Sequence, residues 1–369
     1  MDIPLDVVTY GEAMALFVAS TSGPLSEVEH FTRRVSGADL NVATGLARLG
    51  YRVGYITRVG RDAFGDHIRA TLEREAIDQR CVTVDDRFAT GFQLKGVGLA
   101  GEDPKTEYFR RGSAASRLSL DDYVAEYVLG SRHLHLTGIA PAISLSSREL
   151  AFHLAIKMRG AGKTVSFDPN LRPTLWPSRA EMVSQLNELA KYADWVFPGL
   201  CEGEILTGRT DVREIAGFYL ERGARGVAVK LGEDGAYFRT EQEEGVVPGV
   251  RVERIVDTVG AGDGFAVGVV SGLLENMPMA DAVARGNRIG ALAIQVTGDS
   301  EGLPTRADLE ALEQFADGSG RSPRTHSVET GLGGDIARPR FARGYRAMFS
   351  TAAAQRVEYP PILYFGAAR

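Results

Sequence analysis

Short apolar runs alternate with segments of helical period along most of the chain. Asp6–Tyr10, Val53–Val59, His133–Thr137, Thr164–Asp168, Asp194–Phe197 and Gly226–Leu231 read as strands, being rich in β-branched and aromatic residues and too short for helices. Between them Leu40–Leu49 (closed by Gly50), Ala63–Glu75, Ser147–Arg159, Arg179–Tyr192 and Val212–Glu221 carry apolar residues at helical spacing. This alternation predicts an α/β fold of βαβ units around a mostly parallel sheet.

Two stretches break the rhythm. Residues 13–35 and 90–112 are β-rich or irregular, without a 3.6-residue period, and are expected to form a small antiparallel flap over one edge of the sheet. After Gly245 the segment VVPGVRVERIVDT reads as strand material. Three consecutive helices are then predicted over Ala261–Glu275, Met279–Val296 and Arg306–Phe315, and no internal repeat is evident.

The last residues differ in kind. From Asp317 to Arg369 there are eight arginines, no lysine and four acids, a formal +4, so residues 1–316 carry −10 of the overall −6. Gly, Ser, Pro and Arg dominate GSGRSPRTHS and ARPRFARG, which predicts a basic, poorly ordered extension beyond a single domain over 1–316. Its charge could attract nucleic acid or an acidic partner, but a dispensable tail is the simpler account of its composition.

Composition narrows the class. Of 369 residues 44% are hydrophobic and 24% charged, enough for a substantial core. The net negative charge argues against a domain built for nucleic acid or an anionic membrane. Cys81 and Cys201 stand far apart, which excludes a disulfide framework or zinc cluster and fits a reducing cytoplasm. The N-terminal MDIPLDVVTYGE has acids where a secretory signal needs basic residues, and no apolar stretch reaches the ~18 residues of a membrane span. The 43 glycines, about 12% of the chain against a usual ~7%, imply tight turns and close backbone approaches.

The strongest chemical signal is DTVGAGDGF, Asp257–Phe265, after a predicted strand and opening an apolar helix. A bare G-x-G-D arises often by chance, whereas the complete D-T-x-G-A-G-D does not. Gly260, Ala261 and Gly262 would let successive amides converge at a helix N-terminus and form an anion hole for a phosphoryl group. Asp263 beside it is placed either to accept a proton from an attacking hydroxyl or merely to cap the helix.

Other segments are ambiguous alone. VKLGEDGAYF places Lys230 at a strand end with Gly232 and Gly235 in the next turn, which also describes a β-turn with an exposed lysine. Neither a Walker loop nor a GxGxxG fingerprint occurs. In SGADLNVATGLARLG, Gly37, Asp39 and Asn41 open a helix, and Asp39 as N-cap is a sufficient account. TEYFRRGSAAS puts Tyr108 and Arg110 two apart, as a carboxylate clamp or as part of a solvated edge strand. FDPNLRP places Asp168, Asn170 and Arg172 at the carboxyl end of a strand, where open α/β sheets bind ligands. His133 and His135 share a strand face, but no third residue lies at metal-ligand spacing.

Together these segments resemble the ribokinase-like (PfkB) carbohydrate kinases over about residues 5–316. The resemblance rests on SGADLNVA with ARLG, VGRDAFGD, VKLGEDGA and above all DTVGAGD. Within that family TEYFRRGSAAS and SFDPNLRP look most like 2-keto-3-deoxygluconate kinases. The resemblance implies a three-layer sandwich with an eight- or nine-stranded sheet, a β lid that often makes a homo-oligomer, and transfer of the γ-phosphoryl of Mg-ATP to a primary hydroxyl, here the 6-hydroxyl of the sugar acid.

By matching positions, Gly37, Ala38, Asp39, Leu40 and Asn41 would hold sugar hydroxyls, Tyr108 and Arg110 the carboxylate end. Arg172 and Asp299 are implied as further substrate contacts. Asn170, Arg172, Lys230, Gly232, Gly235, Ala236 and Asn287 would meet the nucleotide, with Gly260–Gly262 on the transferring phosphate and Asp263 as base. Two departures stand out: Ser36 replaces the first of a Gly pair, and Gly199 replaces the Asn of an N-x-x-E element, leaving Glu202 to organise Mg2+ through water. Rival expectations are a kinase of the same fold acting on fructose, ribose or a nucleoside, and a non-catalytic sugar or nucleotide sensor.

Overall fold

The computed structural model describes residues 4–98 and 104–311. The basic extension over 317–369 and the end of the Arg306–Phe315 helix lie outside the described residues, as does part of the 90–112 stretch.

Nine strands form the central sheet: β1 (Val7–Tyr10), β4 (Val53–Gly60), β5 (Val82–Asp85), β8 (His133–Thr137), β9 (Thr164–Asp168), β10 (Trp195–Val196), β11 (Gly226–Lys230), β12 (Ala236–Thr240) and β13 (Glu244–Val247). Their order is β13-β12-β11-β10-β9-β8-β1-β4-β5, parallel from β11 to β5 and antiparallel in the β11–β12–β13 meander. Strand β1 lies between β4 and β8, so the chain winds one way from β1 and then the other. At such a reversal the crossover loops splay apart above the carboxyl ends of the strands, which opens a crevice.

Alternation along β1 divides the core. Val7 packs with the helices Ala38–Arg48, Ala261–Leu274 and Met279–Ala293 on one face, Val8 with Leu145–Gly160, Arg179–Ala190 and Val212–Leu220 on the other. The result is three layers, each side of the sheet covered by helices that bury an apolar stripe. Part of the glycine excess acts here: a Cβ on Gly268 would stand 2.5 Å from the Gly286 Cα, so Ala261–Leu274 and Met279–Ala293 approach backbone to backbone.

A second sheet of four strands, β2 (Met14–Ala19), β3 (Phe31–Ser36), β6 (Phe92–Lys95) and β7 (Thr106–Phe109), runs in the order β3-β2-β6-β7. It occupies the two stretches that broke the helical rhythm. It is not the wholly antiparallel flap expected, because β2 pairs with β6 in parallel. Phe17, Phe64 and Phe92 make edge and tilted ring contacts that fasten it to helix Ala63–Arg74.

The strand expected to continue through VVPGVRVERIVDT stops at Val247. Pro248 has no N–H to extend the ladder, and no strand forms over 248–258. Strands β5 (VTVD) and β12 (AYFRT), which were not among the strands expected from the sequence, also belong to the sheet. No helix among the described residues is long and apolar enough to cross a membrane.

Candidate functional site

A cleft between the four-stranded sheet and the carboxyl ends of the central strands gathers residues from across the chain. Glu12, Gly37, Ala38, Asp39, Asn41, Lys95, Tyr108, Arg110, Arg172, Asp263 and Asp299 all line it. A more open surface groove of Leu120, Leu145, Phe152 and Ile156 brings none of them together.

Asp263 sits at the base of the cleft. The helix Ala261–Leu274 begins with Gly260 as N-cap, so Asp263 is inside the first turn and makes no capping bond. The plain N-cap alternative is therefore not what the fold adopts. Its carboxylate accepts a 2.7 Å bond from Asn41 Nδ2 and a long one, 3.5 Å, from Asn170 Nδ2. Burial raises its pKa from 3.8 to about 7; the Asn41 amide works against this, and the charges of Asp168 and Asp299 add to it. Gly260 has φ +90°, and a Cβ there would collide with the carbonyl oxygen of Asp299. Only glycine lets the chain enter the helix this way.

Beside the helix N-terminus stands an ion pair. Lys230, at the end of β11, donates to Asp168 Oδ2 at 2.6 Å, and its Nζ lies 3.5 Å from where a Cβ on Gly262 would be. Lys230 is not the exposed turn lysine of the simpler reading. Burial opposes its charge, but the carboxylates of Asp168 and Glu202 outweigh that and hold its pKa above the ordinary lysine value. Gly232 and Gly235 shape the β11–β12 turn, and Ala236 begins β12 opposite Lys230. Asn287 lies on Met279–Ala293 and donates to the carbonyls of Val247 and Pro248, each at 3.1 Å. Arg172 turns its Nη1 to the Leu171 carbonyl at 2.9 Å and lines the cleft.

Glu202 is tied down more than its expected role needs. One carboxylate oxygen accepts from the Leu171 amide at 2.8 Å and the other from Gly199 at 2.7 Å. Gly199 brings no side-chain oxygen, and among the described residues no group of three His, Cys, Asp or Glu is arranged to hold a metal. The donor set does not form a protein cage; a magnesium ion would arrive with its nucleotide and meet Glu202 through water.

The sugar-loop expectation divides. Asp39 is not an N-cap: Gly37 takes that position, and the Asp39 carboxylate instead accepts from the Thr137 amide at 3.1 Å and the Thr137 hydroxyl at 2.9 Å. Burial pushes its pKa up to about 8, against those two bonds and with the charge of Asp263. Leu40 turns its side chain into the apolar core, 1% exposed.

On the side of the four-stranded sheet Tyr108 is half exposed, while Arg110 pairs with buried Glu12 at 2.5 Å. Ser113 also donates to Glu12, at 2.5 Å. Ser36 places a hydroxyl where a glycine was expected, and that hydroxyl donates to Asp299. Asp299 accepts as well from Lys95 Nζ at 2.8 Å, and Lys95 pairs with Asp257 at 2.6 Å.

Sequence reasoning missed Glu12, Lys95 and Ser113, and gave Asp257 no task. Only Glu12, in the GEAM that follows the first strand, carried a positional hint; a lysine ending FQLK looks like a solvated strand end.

The sequence matches the pattern of the pfkB family carbohydrate kinases over residues 4–306. It is 51% identical over 309 residues, 84% of this chain and 95% of the relative, to a 2-dehydro-3-deoxygluconokinase of Bacillus subtilis (strain 168). The fold superposes with TM-score 0.77 on a PfkB protein from Polaromonas sp. JS666, at 49% identity over 83% of this chain and 99% of that one. A putative ribokinase II from E. coli in complex with ATP and Mg2+ gives the same TM-score, 0.77, at 26% identity over 84% and 99% of the two chains.

Proposed function

The chain belongs to the pfkB family of carbohydrate kinases, and from that premise we propose that it transfers the γ-phosphoryl group of ATP to the 6-hydroxyl of 2-dehydro-3-deoxygluconate. The observation that carries this reading is that Arg110, from the end of β7, and Asp263, from helix Ala261–Leu274, line one cleft. A sugar acid held by its carboxylate at Arg110 and Tyr108 presents its far hydroxyl to Asp263.

In this reading Asp263 accepts the hydroxyl proton while the sugar oxygen bonds to the γ-phosphorus and the bond to the ADP oxygen breaks. Burial makes Asp263 a stronger proton acceptor than an ordinary carboxylate, yet leaves it substantially ionised near neutral pH. The amides at Gly260–Gly262 face the charge that develops on the transferring group, and Lys230 adds a fixed positive charge beside them. Asn41 orients the base, and Arg172 supplies charge at the mouth. Mg2+ carried with ATP would neutralise its phosphates. The exposed Val97 and Phe109 of the lid support self-association through that surface, which sedimentation would read directly.

The test is an ADP-release assay across acidic and neutral sugars. Turnover with 2-dehydro-3-deoxygluconate well above that with fructose, ribose or nucleosides is expected, and preference for a neutral sugar refutes the assignment. One observation favours that second reading: Arg110 already has a carboxylate partner in Glu12, so a neutral sugar would leave it paired.

A further inference from the structure

Lys95 is a buried cation that the phosphoryl-transfer scheme does not use. It ends lid strand β6, is 2% exposed, and spans Asp257 Oδ2 at 2.6 Å and Asp299 Oδ1 at 2.8 Å. Burial opposes the ammonium charge, but the two carboxylates outweigh it and keep it protonated.

Both partners build the anion hole from behind. Asp257 opens the turn into Gly260: its carboxylate accepts from the Val259 amide at 3.1 Å and the Gly298 amide at 3.4 Å. Asp299 packs its backbone carbonyl against Gly260 and accepts from Ser36, the residue before the sugar loop. One ammonium thus joins the lid, the turn before the helix and the loop behind it. Without it, two buried carboxylates face each other unpaired and the two loops repel.

We propose that Lys95 is a positioning residue: its ammonium clamps Asp257 and Asp299 so that the Gly260–Gly262 amides are set for phosphoryl transfer only when the lid strand is docked. This rests on the anion-hole reading above, and it holds whichever sugar is the substrate.

The test uses full-length protein and whichever sugar the wild type phosphorylates, so failure of the sugar assignment is read separately, in the wild-type panel. Lys95→Met is expected to lower kcat about 100-fold, as for loss of alignment, with little change in KM for ATP. Lys95→Ala leaves space for a small cation, and ethylammonium should restore its kcat at least tenfold, while tetramethylammonium does not and the wild type responds to neither. Wild-type kcat in Lys95→Met, or a cooperatively melting Lys95→Ala that ethylammonium leaves unchanged, overturns the proposal. If the single variants do not fold, Lys95→Met with Asp257→Asn and Asp299→Asn leaves no unpaired charge. Slow turnover in that folded variant with the sugar KM near the wild-type value supports the clamp, and wild-type kcat, or a loss confined to the sugar KM, overturns it.

Discussion

Asn41 donates to the Asp263 carboxylate at 2.7 Å across 222 positions of sequence, joining the helix that follows β3 to the helix that begins at Ala261. The bond does two things at once. It fixes which way the carboxylate faces, and it favours the ionised form against the burial that raises its pKa.

The first expectation concerns Asp263 itself. Asp263→Asn keeps the shape and the Asn41 neighbour but cannot take a proton, so kcat should fall by roughly 10² to 10⁴. ATP affinity, followed by calorimetric titration, should stay near that of the wild type. Near-normal turnover would remove Asp263 from the role of base.

The same group sets the pH profile. A base works only when deprotonated, so kcat should decline as pH falls through about 7, tenfold per unit once well below. Asn41→Leu removes the donor that lowers this pKa, and its acidic limb should lie at higher pH than the wild-type limb. An unmoved limb contradicts the coupling.

Gly260 and Gly262 should fail differently. Gly260→Ala forces a Cβ onto the Asp299 carbonyl at a positive φ and should cost roughly 1–3 kcal/mol in urea unfolding as well as activity. Gly262→Ala meets nothing closer than Lys230 Nζ at 3.5 Å, so melting should change little while turnover drops as the methyl enters the phosphate space. Equal stability losses would argue against this distinction.

Arg110→Lys keeps a positive charge beside Glu12 but loses the two-pronged geometry suited to a carboxylate. We expect kcat/KM for the sugar acid to fall about 10- to 100-fold, with any residual neutral-sugar turnover unchanged. Parallel losses on both substrate classes would place Arg110 in the fold rather than in specificity.

Asp39 predicts a stability effect. Its pKa is raised from 3.8 to about 8, so the folded protein keeps a proton that the unfolded chain has lost. That stabilisation is complete below about pH 4 and fades as pH rises through 8. Melting temperature of the unliganded protein should therefore fall between pH 6.5 and 8.5, and more shallowly in Asp39→Asn. Identical slopes would show that Asp39 ionises freely in the folded state.

The alternation of β-branched runs with helical periods was enough to predict the α/β architecture, because parallel strands buried on both faces leave a signal within a few residues of sequence. DTVGAGD was legible for a similar reason: the turn, the helix start and the carboxylate are contiguous, and backbone constraints at Gly260 act locally. Tertiary structure alone decided the rest. That Asp39 binds Thr137 rather than capping its helix, that Leu40 faces the core, that Glu12 meets Arg110 and that Lys95 lies between Asp257 and Asp299 are contacts between segments brought together by the winding of the sheet. Charge pairing and burial depend on distance in space, and a single sequence records only distance along the chain.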